Sequence, residues 1–276
     1  VGLYGNAIGR FLEHAFGEGE VRLGELDAAD IVRFVQAEAV RLHHSKRAKV
    51  MTTALRAFLQ YGRYRGDIHA DLHACVPTVA NWSMAGIPRT ISTSQVERLL
   101  VSCDQRNTTG RRDYAILLLL VRLGLRASEV VELRLDDLDW DEASIRIRGP
   151  AQRCDSLPLP SDVGAALVAY LRDGRPACPA RNVLLRLRAP RRPLSGPSAV
   201  SCVVCRALRR AGIDAPLKGA HLLRHSLATQ MLGNGASLGE IAEILRHRNV
   251  ETTTIYAKVD LAALRKLALP WPGGAQ

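Results

Sequence analysis

The apolar positions along the chain fall mostly at helical spacing. In LDAADIVRFVQAEAVRLHH, Ile31, Val32, Val35, Ala39 and Leu42 recur at steps of three and four, and Asp27 stands where an N-cap carboxylate belongs. SKRAKVMTTALRAFLQYGRYRG predicts a second helix, with Ser45 as its cap and Gly62 and Gly66 as stops. VPTVANWSMAGIPRTIST then interrupts the pattern with two prolines and a glycine, as a linker does.

Beyond it, STSQVERLLVSC and GRRDYAILLLLVRLGL read as helices, and the second is apolar almost all round, so it belongs at the centre of a core. ASEVVELRLDDLDW predicts a short helix and a turn. SIRIRG and DSLPLP alternate with period two, and Gly149 and Pro150 supply a turn, so a β-hairpin is expected there. SDVGAALVAYLRDG predicts a helix capped by Ser161 and stopped at Gly174. GPSAVSCVVCRALRRAG, AHLLRHSLATQMLGNG, SLGEIAEILRH and VETTTIYAKV complete a helical C-terminal half. The expected fold is mainly α with a small β-hairpin or sheet. The expected domains are residues 1–80, a linker over 81–92, and residues 93–276.

Composition supports helix over strand. Of the 276 residues 47% are hydrophobic but only 5% aromatic, so Leu, Ala and Val must fill the core. The longest apolar run, AILLLLV, is too short to span a bilayer, and no signal peptide is visible. Six cysteines sit at 75, 103, 154, 178, 202 and 205. Only Cys202 and Cys205 form a C-x-x-C. Without a second pair they make no zinc site, and core packing is the expectation for them. Nothing suggests a disulfide scaffold, which points to a reducing compartment.

Charge changes the picture more. The net charge is +11, and residues 91–276 carry 27 Lys/Arg against 18 Asp/Glu. Such an excess on a folded chain points to a polyanion, nucleic acid first. Two stretches are basic without an acid. Arg41 to Arg65 holds seven Lys/Arg, and Arg175 to Arg210 holds nine arginines. Lys46, Arg47, Lys49 and Arg56 are therefore candidate phosphate-contacting residues.

Three dispersed pieces carry candidate chemistry: LGLRASEVVELRLDDL with Arg126, HLLRHSLATQML with His221 and Arg224 on one helix face, and LRHRNVETTTIYAKV with His247 and Tyr256 nine residues later. His221 and His225 stand at i, i+4 like a zinc pair, but Leu222 replaces the glutamate of a metalloprotease helix and Arg224 lies between them. No metal and no cofactor is expected.

Taken together, the order and spacing of these pieces resemble the tyrosine recombinases of the phage-integrase family over roughly residues 90–267. The basic helical segment before them resembles that family's N-terminal core-binding domain. The resemblance implies a mostly helical catalytic domain and double-stranded DNA as substrate. It also implies strand cleavage and rejoining through a covalent 3′-phosphotyrosine. Arg126 and Arg224 would clamp the scissile phosphate with rigid donors. Tyr256 would be the nucleophile, His221 would assist proton transfer, and His247 would orient the phosphate. Two arginines and two imidazoles would take the place of a metal.

The sequence departs from the family at two positions. The hairpin lysine that protonates the leaving 5′-oxygen is replaced by Pro150, and no lysine occurs between Lys49 and Lys218. Arg148 or Arg153 can reach such a site, but arginine is a poor proton donor. Arg246 stands where the family commonly has glycine. Two other functions remain open: a non-catalytic DNA-binding relative, and a topoisomerase-like nicking-closing enzyme. The tail DLAALRKLALPWPGGAQ has an apolar face of leucines for a neighbouring subunit, which leads to an expected homotetramer on paired sites. A bacterial cytoplasm, at the nucleoid and off the membrane, is the implied location.

Overall fold

The computed structural model describes residues 2–42, 45–78, 87–149, 154–215, 217–247 and 252–259. The chain divides into two compact units, Val1–Gly86 and Ile87–Gln276.

The first unit is helical: α1 (Gly2–Phe16), α2 (Ala28–Arg41) and α3 (Ser45–Arg65). Asp27 caps α2 in a reciprocal box with Asp30. Phe11, Ile31, Phe34, Leu55 and Leu59 form its core, with the Phe11 and Phe34 rings edge to face at 5.2 Å. Ser45 opens α3, and its side chain lies outside the described residues. Gly62 does not stop α3. The helix runs through it, and since a Cβ there would meet Ile68 Cδ1 at 2.7 Å, the glycine lets the returning chain pack closely. The stop is Gly66, at φ +81.

In the second unit α4 (Thr93–Val101), capped by Ser92, leads to α5 (Thr108–Arg122). Residues 115–121 of α5 are all buried, as expected of a central helix. Then come α6 (Ala127–Glu132) and a three-stranded antiparallel sheet of β1 (Leu138–Asp139), β2 (Ser144–Arg148) and β3 (Cys154–Pro158), in that order. The expected hairpin is β2–β3, with Ile145 opposite Leu157. The two-residue β1 adds a third strand. Ile145 and Ile147 face the core from β2. The turn positions Pro150 and Arg153 lie outside the described residues.

Among the described residues four more helices follow: α7 (Ser161–Asp173), α8 (Pro197–Arg210), α9 (Ala220–Gly233) and α10 (Leu238–Ile244). The cap of α7 is Pro160 rather than Ser161, which is already the first helical residue. α7 and α9 both pack on α5. A 3-10 turn over Thr254–Val259 lies against α9 and α10. The C-x-x-C face of α8 is not in the core: Cys202 is exposed and Cys205 half-buried, while Val200, Val203, Val204, Ala207 and Leu208 make the buried stripe. Among the described residues no helix is long and apolar enough to cross a membrane.

Candidate functional site

The site forms where α5 ends. Gly124 has φ +56, and a Cβ on it would lie 2.6 Å from Leu245 Cδ2 and 3.0 Å from Leu227 Cδ2. Only glycine allows the chain to turn there and press against the end of α10 and the flank of α9. The next two residues bring Arg126 to the start of α6.

Arg126 is held on three sides. Its backbone N–H donates to Glu129 Oε2 at 2.8 Å, its Nη1 to Glu129 Oε1 at 2.6 Å, and its Nη2 to the Arg246 carbonyl at 2.9 Å. Glu129 is 5% exposed and also receives Arg246 Nη2 at 2.9 Å. Burial alone would raise the Glu129 pKa, but the Arg126 N–H and the two guanidinium groups hold it below the usual carboxylate range.

Arg224, on α9, is 5% exposed. Its Nη1 donates to the Gly124 carbonyl and its Nη2 to the Leu245 carbonyl. These bonds tie the end of α5 to the end of α10 and fix the guanidinium beside Arg126. Burial, then the charges of Arg126 and Arg246, lower the Arg224 pKa to about 10, so it remains a cation at neutral pH. Each terminal nitrogen carries two hydrogens, so both retain one for an anion.

His247 and Tyr256 close the pocket. The His247 Nδ1 lies 2.6 Å from Thr253 Oγ1, which fixes the ring, and the two rings stack at 6.5 Å with a 6° interplanar angle. Burial, followed by the arginine charges, lowers His247 to about 4, so its imidazole is neutral. Tyr256 is 1% exposed, and burial raises its phenol to about 12 against the opposing pull of Arg224. His221, one turn before His225 on α9, is exposed, and its ring centroid lies 6.3 Å from that of His225.

Thus Arg126, Arg224, His247 and Tyr256 come together, with His221 at the edge. Sequence reasoning assigned no role in the site to three residues here. Glu129 bridges two arginines, Arg246 is nearly buried in the cluster, and His225 Nδ1 lies 2.8 Å from Tyr256 Oη. The signal for His225 was its place one turn after His221, which was weighed only as a zinc spacing. Among the described residues no cluster of three metal-ligating side chains occurs. Such a pocket, with two fixed cations, neutral imidazoles and a phenol, can bind an anionic phosphate and attack it.

The basic stretches are less one-signed in space than in sequence. Arg41 pairs with Glu38, Arg63 with Asp71 and Arg65 with Asp67. Arg56 Nη2 donates to the carbonyls of Val76 and Pro77 at 2.8 and 3.1 Å, so it ties α3 to the chain that leaves the unit. Arg47 and Lys49 are exposed on α3, and the Lys46 side chain lies outside the described residues. In the second stretch Arg175 donates to backbone carbonyls and Arg181 pairs with Asp136, whereas Arg188, Arg191 and Arg192 are exposed. Arg148 donates to Asp137 Oδ1 at 2.7 Å.

Residues 89–262 match the phage integrase family, so the chain belongs to that family. The putative integrase/recombinase y4rA of Sinorhizobium fredii is 56% identical over 273 residues, covering 99% of this chain and 66% of its own length. A second Sinorhizobium fredii relative, the putative integrase/recombinase y4rF, is spanned over 53% of its length. Tyrosine recombinase XerC of Azotobacter vinelandii is 32% identical over 276 residues, covering 97% of this chain and 88% of its own. The fold is that of the XerH site-specific recombinase in its post-cleavage complex with a palindromic difH substrate. The TM-score is 0.78 at 20% identity, with 96% of this chain and 78% of the other covered.

Proposed function

We propose that the chain is a site-specific DNA recombinase that cleaves and rejoins duplex DNA through a covalent 3′-phosphotyrosine on Tyr256. The observation that carries this reading is the meeting of Arg126, Arg224, His247 and Tyr256, drawn from segments far apart in sequence: the carbonyls of Gly124, Leu245 and Arg246 hold the two arginines, and the His247 and Tyr256 rings stack beside them. Family membership and the names of its relatives point the same way.

The chemistry follows from the parts. A phosphodiester is an anion, and in-line displacement spreads further charge over its non-bridging oxygens. Fixed guanidinium groups face that charge without reorganising, which favours the transition state over the bound substrate. Arg224 is held by two carbonyls and Arg126 by a carboxylate and a carbonyl, so both are preorganised. Neutral His247 donates a hydrogen bond to a phosphate oxygen. Tyr256 attacks phosphorus, and the ester it forms conserves the bond for rejoining. His221, at the rim, assists proton transfer. The two domains expected at 1–80 and 93–276 divide the labour, the first binding DNA through Arg47 and Lys49 among others, the second doing the chemistry. Strand exchange requires several copies on paired sites. The tail proposed to join them, residues 260–276, lies outside the described residues. Such an enzyme works at the bacterial nucleoid.

The test is covalent capture. The protein is incubated with a pool of nicked duplexes carrying a randomised core, and DNA that stays attached after denaturation is recovered and sequenced. An enriched duplex that forms a stable adduct supports the reading. Recovery no greater than with a heat-denatured control overturns it.

A further inference from the structure

The Tyr256 hydroxyl has one hydrogen-bonding neighbour among the described residues, and it is none of the groups assigned above. His225 Nδ1 lies 2.8 Å from Tyr256 Oη, with the rings 5.7 Å apart and tilted by 59°. The other bases and cations of the pocket are differently engaged. His247 turns its Nδ1 to Thr253 Oγ1, and Arg224 directs both terminal nitrogens to backbone carbonyls. His221 stands at the exposed edge, one helical turn away.

We propose that His225 is the general base that takes the phenol proton as Tyr256 attacks the scissile phosphate. This rests on Tyr256 being the nucleophile. In the step, the Tyr256 Oη–P bond forms while the proton passes from Oη to His225 Nδ1. The P–O5′ bond breaks, and the 5′-oxygen leaves with that bond's electron pair and takes a proton from water.

The surroundings suit the role. His225 is faced by His221 and Arg224 from its own helix, and by His247 and Tyr256 from the segments packed against it. Burial, then His221 and Arg224, hold its pKa below the ordinary histidine value, so the ring is neutral and has a lone pair to offer. The phenol, raised to about 12 by burial, does not ionise unaided. Its acidity rises as its oxygen bonds to phosphorus, so proton transfer and attack go together. α9 therefore delivers both the phosphate clamp, Arg224, and its neighbour, the base.

The experiment uses the duplex recovered by covalent capture and measures single-turnover adduct formation by wild type, H225A and H225N. Thermal unfolding and DNA binding by anisotropy are measured beside it. Asparagine places Oδ1 near the position of Nδ1, so it keeps a hydrogen bond to the phenol but cannot hold the proton. The expected result is a fall of roughly 10²-fold in both variants with binding retained, and recovery of H225A by added imidazole. Adduct formation by H225A or H225N close to wild type overturns the proposal, as does a defect in H225A that imidazole leaves unchanged. A wild-type adduct carried on a residue other than Tyr256 overturns the nucleophile assignment as well, whereas a Tyr256 adduct formed as fast by H225A overturns this proposal alone.

Discussion

Arg246 Nη2 lies 2.9 Å from Glu129 Oε2, and the two residues are 117 positions apart in the chain. The contact comes at a backbone cost. It adopts φ +53, which costs an L-residue about 1 kcal/mol or more, and its Nε is buried with no hydrogen-bond partner among the described residues. On the proposed function its effect is on charge: Glu129 would otherwise answer Arg126 alone and cancel the cation offered to a phosphate. With Arg246 present, one carboxylate is shared between two guanidinium groups.

Replacing Arg246 with glycine should therefore lower the cleavage rate about tenfold, equivalent to ~1.4 kcal/mol of transition-state stabilisation. The fold should be kept, since glycine suits the backbone. The double variant E129Q/R246G removes the carboxylate that neutralises Arg126 and should recover much of the loss. Single-turnover adduct assays on both variants check this. No recovery in the double variant would mean that Arg246 acts otherwise.

Gly124→Ala should be strongly destabilising. A methyl group there would lie 2.6 Å from Leu245 Cδ2, and the residue has φ +56. Strain and overpacking together are worth on the order of 2–4 kcal/mol. Urea unfolding should show that loss in the midpoint with the slope unchanged. A variant within 0.5 kcal/mol of wild type, roughly the level of a neutral surface substitution, would mean that the α5–α10 junction is looser than described.

The pocket also sets a pH window. His247 has its folded-state pKa lowered to about 4 from an ordinary value near 6.5. Its neutral form therefore contributes stability that is complete above about pH 6.5 and drains away as pH falls toward 4. Tyr256, raised to about 12, acts in the opposite sense: its contribution is complete below pH 10 and is lost between 10 and 12. Thermal unfolding of wild type against H247Q and Y256F from pH 4 to 11 should show each slope flattened by its own substitution. Parallel curves for all three would contradict these assignments.

In the proposed reaction the leaving oxygen is the weak point. Arg148 is committed to Asp137 at 2.7 Å, and arginine gives up a proton poorly in any case. A substrate with bridging sulfur at the 5′ position expels a thiolate that needs no proton. It should be cleaved roughly 10²–10⁴ times faster than the oxygen ester if no strong general acid acts here. Equal rates, together with a gap opened by R153A, would identify a working acid in the hairpin turn.

Much of this was legible in the sequence, for local reasons. Asp27 announces its helix because N-capping needs only three residues. The run Ala115–Val121 announces a central helix because nothing else can hold it. What failed was non-local. Gly62 looks like a stop until Ile68 is seen returning against it. Arg56 looks like a free cation until the carbonyls of Val76 and Pro77 reach it, twenty residues on. The acid-free stretch 41–65 borrows Asp67 and Asp71 from just beyond its end. The two residues of β1 are too few to show a period. In the site, the spacing of Arg126, His221, Arg224, His247 and Tyr256 can be read directly. The contacts of Glu129, Arg246 and His225 appear only once the three segments meet.

The central claim is that Tyr256 carries the covalent bond to DNA, and one measurement addresses it directly. Wild type and Y256F are incubated with the duplex recovered by covalent capture, and the wild-type adduct is digested with protease and nuclease for peptide mass mapping. The account predicts a nucleotide attached to the peptide containing Tyr256, and for Y256F, DNA binding close to wild type with no adduct. A covalent adduct formed by Y256F, or a nucleotide found on any other residue, would contradict it.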